Sequence, residues 1–257
     1  MKTLLSSYIV LVLSIVGCDI SQRTPPVDVA PVSDIDPIAS RIGQAHGKSL
    51  LDEYGYVRFD IEKSFGGSAP TTATITASTD GGRIRLDTKS GRTIVWDRGE
   101  LRSTSDDDGR QGDRFEIFTW QYFFMLPYKL ADPGVNLLAQ PQVDMDGQAY
   151  ETVWLAFDNG TGDASDDWYR LHIDQASGRI EHAGYIVTAG GKTPEEAAAN
   201  AHSITYDDYT PTAGIPISRS WTFSNYDADT QQVRDSIGYA RISNISFPEG
   251  EELSWDL

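Results

Sequence analysis

The chain has 257 residues, with 38 acidic side chains against 21 basic ones and a formal charge of −17. A surface this acidic repels nucleic acid and anionic headgroups, which excludes a role built on general attraction to polyanions. One cysteine leaves no pair for a disulfide and no cysteine cluster for a metal. Six Trp, twelve Tyr and nine Phe supply bulky side chains for a sizeable core.

The first eighteen residues read MKTLLSSYIVLVLSIVGC. Lys2 gives a short positive region, and residues 8–16 are apolar except for Ser14. That run is shorter than the roughly 20 apolar residues of a permanent span and has the length of a cleavable export signal. Ile15-Val16-Gly17-Cys18 resembles the bacterial lipobox, an aliphatic and a small residue directly before cysteine. The expectation is a signal peptide over 1–17, lipidation of Cys18, and anchoring of the mature N-terminus in a membrane by its acyl chains. The folded part then lies in the cell envelope, facing the periplasm or the exterior. Residues 19–36 carry Pro25, Pro26 and Pro31 without hydrophobic periodicity. Residues 18–35 therefore read as the lipidated cysteine and a tether, about 60 Å long if fully drawn out at roughly 3.3 Å per residue.

One domain is expected over 36–257, with no internal repeat. Asp36-Pro37 is a helix start, with Ile38, Ile42 and Ala45 on one face and a stop at His46-Gly47. A second helical stretch carries Leu50, Leu51 and Tyr54. Alternation then predicts strands around Val57-Phe59-Ile61, Ala73-Ile75-Ala77, Ile84-Leu86 and Ile94-Trp96, the last turning at Asp97-Arg98-Gly99. Residues 114–126, RFEIFTWQYFFML, break the alternation and precede Pro127. Phe115, Phe118, Tyr122 and Met125 share a helical stripe there, and apolar residues occupy much of the remaining surface, as in a helix surrounded by protein or lying against something apolar.

Strands return at 150–157, after an Asp146-Gly147 turn, and at 168–173, 179–188, 202–209, 217–223 and 237–247. Thr193-Pro194-Glu195-Glu196 is a capping box opening a short helix. The fold class is mainly β (α+β), an antiparallel sheet of about ten strands with two or three helices on one face.

The block Phe123-Phe124-Met125-Leu126-Pro127-Tyr128-Lys129-Leu130-Ala131-Asp132-Pro133 resembles an LPY-x-L-x-DP block of a group of uncharacterised bacterial lipoproteins, as do Gln44-Ala45-His46-Gly47 and Gly214-Ile215-Pro216. That group in turn is similar to the LolA/LolB-like lipoprotein-carrier superfamily. The resemblance implies a curved antiparallel half-barrel, its open side covered by helices, with a cavity for acyl chains. It implies no catalytic residue.

Of the four histidines, none lies in an H-x-x-x-H or H-E-x-x-H pair. His172 and His182 are placed to face each other across a hairpin, and His46 sits at a helix end that suits a cation. His202 has no motif around it. Acid clusters at Asp106-Asp107-Asp108 and across Asp158 to Asp167 lack calcium-loop spacing. No nucleophile elbow, phosphate loop or dinucleotide fingerprint occurs. The expectation is therefore a non-enzymatic protein with no cofactor, no metal and no catalytic residue. Its ligand-binding residues are Phe115, Phe118, Tyr122 and Met125 on the helix with Trp96, Trp154 and Trp221 on strands, and its ligand is an acyl chain or another hydrophobic molecule. The alternatives are a structural or protein-interaction module of the envelope and an envelope hydrolase.

Overall fold

The computed structural model describes residues 36–104, 110–250 and 253–257. Cys18, the leader, the tether and the Asp106-Asp107-Asp108 cluster lie outside the described residues. The described chain opens with α1 (Pro37–Ala45), where Oδ1 of Asp36 accepts the backbone N–H of Ile38 at 2.7 Å. This is the capped start that Asp-Pro predicts. Gly47, at φ 74°, turns the chain into the single-turn helix α2 (Lys48–Leu51).

Five strands follow as a meander: β1 (Tyr56–Phe65), β2 (Thr71–Ser78), β3 (Arg83–Thr88), β4 (Thr93–Asp97) and β5 (Glu100–Ser103). The long helix α3 (Arg110–Met125) and a 3-10 turn at Leu126–Tyr128 come next. The second meander is β6 (Val135–Met145), β7 (Gln148–Phe157), β8 (Tyr169–Asp174), β9 (Ile180–Tyr185), β10 (His202–Thr212), β11 (Ile215–Asp227) and β12 (Gln232–Ser246). Between β9 and β10 lies α4 (Pro194–Ala198), whose Thr193–Glu196 capping box forms as expected.

All twelve strands make one antiparallel sheet in the order β5-β4-β3-β2-β1-β12-β11-β10-β9-β8-β7-β6. The two meanders join along β1 and β12, and β5 and β6 are the two edges. Among the described residues there are twelve strands where the alternation suggests about ten, and four α-helices against the two or three expected on one face. The two strands that alternation misses are the two edges. β5 is four residues long, and β6 carries Pro141 and shows little burial along its length. An edge strand with partly wet faces has no reason to alternate, and it is also where a sheet tolerates proline.

Helix α3 carries the chain from one edge to the other and lies in the sheet's concave face. Trp96 on β4 packs edge-on against Phe118 with ring centroids 5.0 Å apart, while Phe157 on β7 lies 6.3 Å from Tyr122, one turn along the same helix. β4 and β7 are nine strand positions apart, roughly 43 Å across a flat sheet. Both meet one helix only because the sheet wraps around it. Ladder irregularities at Arg58/Asp60 on β1, Gln140/Val143 on β6, His172/Ile173 on β8 and Phe223–Tyr226 on β11 supply local bends of the kind that increase coiling.

The core lies between this concave face and the helices. Phe59 stacks on Phe124 at 4.3 Å, and Ile42, Ile75, Leu86, Ile117 and Phe223 are buried around them. Among the described residues every core residue comes from the unit Asp34–Leu257, so this unit carries its own core. Among the described residues no helix is long and apolar enough to cross a membrane.

Candidate functional site

The sheet is wider than α3 can fill, and the space left over is a cavity of about 1510 Å³. Small-molecule pockets usually measure roughly 300–1,000 Å³, so the space exceeds what a compact metabolite needs. The α3 sequence explains why it stays open. Ile117 and Phe124, two turns apart, are buried and seat that face on the sheet, while the buried Trp120 and Gln121 between them border the cavity. Phe118 and Tyr122 project beside it and are only partly buried against the core, and Phe115 is 43% exposed. These three residues and Trp96 line the cavity.

The other residues expected at the site lie elsewhere. Met125 is 1% exposed and packed into the core, because the stripe drifts from the cavity onto the sheet side of α3. Trp221 is also 1% exposed and packs edge-on against Tyr206 at 5.9 Å. Trp154 alternates with the core residues Val153 and Leu155 and so points to the opposite face, where it stacks on Trp168 at 4.7 Å beneath the Arg170 guanidinium. The far wall of the cavity instead contains Phe157, Tyr169, Tyr185 and Phe223. Their strands alternate in the sequence, but alternation alone does not say which face turns toward α3.

Polar groups are distributed around the apolar wall. Lys63 on β1 pairs with Glu116 and lies 4.5 Å from the centre of the Trp120 ring. Arg114 pairs with Asp163, its Nε donating at 2.9 Å, and covers Trp96 and Phe118 at 5.1 and 5.4 Å. Lys129 pairs with Asp132 at 3.1 Å. Burial pushes the hydroxyl pKa values of Tyr122, Tyr169 and Tyr185 up, and the charge of Asp167 adds to the effect. Asp167 is itself raised above the usual carboxylate range by burial, against the opposing pull of its bonds from Thr188.

Three of the four acids between Asp158 and Asp167 are tied individually to protein donors: Asp158 to Asn136, Asp163 to Arg114 and Asp167 to Thr188. Among the described residues no three His, Cys, Asp or Glu side chains gather as a metal site would need. His172 and His182 do face each other in register on β8 and β9, with ring centroids 6.4 Å apart. They lie on the sheet face opposite the cavity, where His182 shares hydrogen bonds with Thr205 at 2.8 Å and Tyr150 at 3.3 Å. His202 lines the cavity, with its pKa lowered by burial and by Lys192.

His46 is not the helix-end cation its position suggests. It is buried, and its Nε2 accepts the backbone N–H of Ile180 at 3.0 Å. Burial, with Arg179 adding to it, lowers its pKa to about 3. The three blocks that carry the sequence resemblance meet here. His46 packs edge-on against Tyr128 at 6.2 Å, and a side chain at Gly47 would come within 3.2 Å of Pro216. They enclose a second space of about 20 Å³, bordered by Trp221 and large enough for roughly one water. That seam joins α1 to the sheet and is separate from the large cavity.

No family model matches the sequence, and no curated protein matches it. Several solved structures are similar to the chain in part. A LolA superfamily protein from Nitrosomonas europaea superposes with a TM-score of 0.49 at 9% identity, covering 81% of this chain and 94% of that one. A DUF1329 family protein from Desulfovibrio piger gives 0.48 at 12% identity, covering 85% and 95%. The mycobacterial lipoprotein LppX from Mycobacterium tuberculosis gives 0.26 at 12% identity, covering 59% and 88%.

Proposed function

We propose that this chain is an envelope lipoprotein, anchored through Cys18, that binds a lipid in the cavity between α3 and the sheet without transforming it. The observation that carries the reading is the cavity itself: about 1510 Å³ of space walled by Phe115, Phe118, Tyr122, Trp96 and the aromatic residues of β7–β9. Removing apolar surface from water contributes roughly 25 cal/mol per Å², so an acyl chain laid along these rings needs no covalent or metal anchor. Domain boundaries at 17/18 and 35/36 complete the proposal, with the tether giving the carrier reach from its membrane.

The test is native and denaturing mass spectrometry of the unit Asp34–Leu257 purified from a bacterial host. The expected result is co-purifying lipid, reduced several-fold by Phe118→Asp, with an unchanged circular dichroism spectrum. An apo mass that persists after fatty acid and phospholipid are offered would overturn the reading and leave an envelope interaction module in its place.

A further inference from the structure

One wall of the cavity holds more charge and hydrogen-bonding capacity than an acyl chain uses. Tyr122, Phe157, Tyr169 and Tyr185 form a continuous run of rings. Tyr169 lies 5.5 Å from Tyr122, 6.2 Å from Phe157 and 5.9 Å from Tyr185 between centroids. Tyr169 and Tyr185 are each 7% exposed. Yet none of the three tyrosine hydroxyls has a hydrogen-bond partner among the described residues, and all three residues border the cavity.

Asp167 stands at the same wall. Its Oδ1 accepts both the backbone N–H and the hydroxyl of Thr188, at 2.8 and 2.7 Å, and no basic side chain among the described residues pairs with it. Of the other cavity carboxylates, Glu116, Asp132 and Asp163 each have a Lys or Arg partner, while the adjacent Asp166 has none among the described residues and adds its negative charge beside Asp167. Lys192 is on the same loop, its backbone N–H donating to the carbonyl of Thr188 at 3.2 Å. Of the lysines and arginines that line the cavity, it alone has no paired acid among the described residues.

A partly buried carboxylate without a counter-ion, beside a run of electron-rich rings, suits an ammonium ion, which ring faces attract through their quadrupole. A nearby unpaired lysine suits the negative charge such a ligand carries a few bonds away. We infer that Asp167 with Tyr122, Tyr169 and Tyr185 binds the ammonium group of a zwitterionic glycerophospholipid, Lys192 meeting its phosphate while the acyl chains occupy the rest of the cavity. This assignment rests on the lipid-binding reading and adds the headgroup class.

The experiment measures binding of phosphatidylcholine, phosphatidylethanolamine and phosphatidylglycerol with identical chains to the delipidated unit Asp34–Leu257. The two ammonium lipids are expected to bind about tenfold tighter than phosphatidylglycerol. Asp167→Asn keeps an oxygen for Thr188 but removes the charge, and it is expected to lower phosphatidylcholine to the phosphatidylglycerol level while leaving the latter unchanged. Tyr185→Leu serves as a second variant and is expected to narrow the preference in the same direction. Equal binding of all three lipids by the wild type, or an undiminished preference in both variants, overturns the ammonium site and leaves lipid binding standing. Failure to bind any of the three overturns both.

Discussion

Buried at the end of α1, His46 accepts a hydrogen bond and stays neutral, and that makes the fold sensitive to acid. Its pKa is about 3 in the folded chain against 6.5 ordinarily, and burial does the same to His172. Below pH 6.5 the unfolded chain takes up protons that the folded one refuses, so stability is lost as pH falls from 6.5 toward 3. Each such group contributes about 1.4 kcal/mol per pH unit. His46→Gln retains an acceptor for Ile180 and is expected to flatten the dependence of urea stability between pH 6 and 4.5 by about one proton. An unchanged slope would show that His46 is not the source. Asp167 works in the opposite sense. Its folded pKa is raised, chiefly by burial, so its contribution to stability is present at low pH and lost as pH rises through that raised value. Asp167→Asn should therefore raise the urea midpoint at pH 7, with the difference fading below the usual carboxylate range.

Within α3 the two sides do different work. Phe124 stacks on Phe59 in the core, and Phe124→Ala is expected to cost about 3–5 kcal/mol in urea unfolding. Phe115 is partly exposed at the cavity, and Phe115→Ser should change stability by less than about 0.5 kcal/mol while weakening lipid uptake. Equal costs at both positions would mean the helix is packed on all sides and the cavity is closed in solution. The helix, its capped neighbours and ten of the strands were legible because caps and alternation are local signals. Edge strands β5 and β6 were not, since a strand with one neighbour and wet faces loses the contrast that alternation needs. Four of the seven ligand residues read from the sequence border the cavity, while Met125, Trp154 and Trp221 do not. Which face of β7 turns inward, and how far a stripe drifts around α3, depends on the wrap of a twelve-stranded sheet. For the same reason Tyr169, Tyr185 and Asp167 could not be singled out: ordinary strand and loop residues become a wall only when β7, β8 and β9 curve toward α3.

At the scale of the whole molecule, a formal charge of −17 governs how the unit approaches a membrane. The acyl-free form should associate weakly with anionic vesicles at low salt and more strongly as salt screens the repulsion, with zwitterionic vesicles insensitive to salt. Flotation at two ionic strengths checks this, and association that falls with salt would point to a basic docking patch. The sheet order has a further consequence for synthesis and export. β1 is paired on one side by β2 but on the other only by β12, the last strand to emerge from a ribosome or a translocation channel. The first meander can form early, yet the joint that makes the two halves one trough must wait for Gln232–Ser246. Until then β1 presents an unpaired edge beside the apolar rings of α3, a combination prone to aggregate. Nascent chains ending before β12 should accordingly be the form that most needs a holding chaperone.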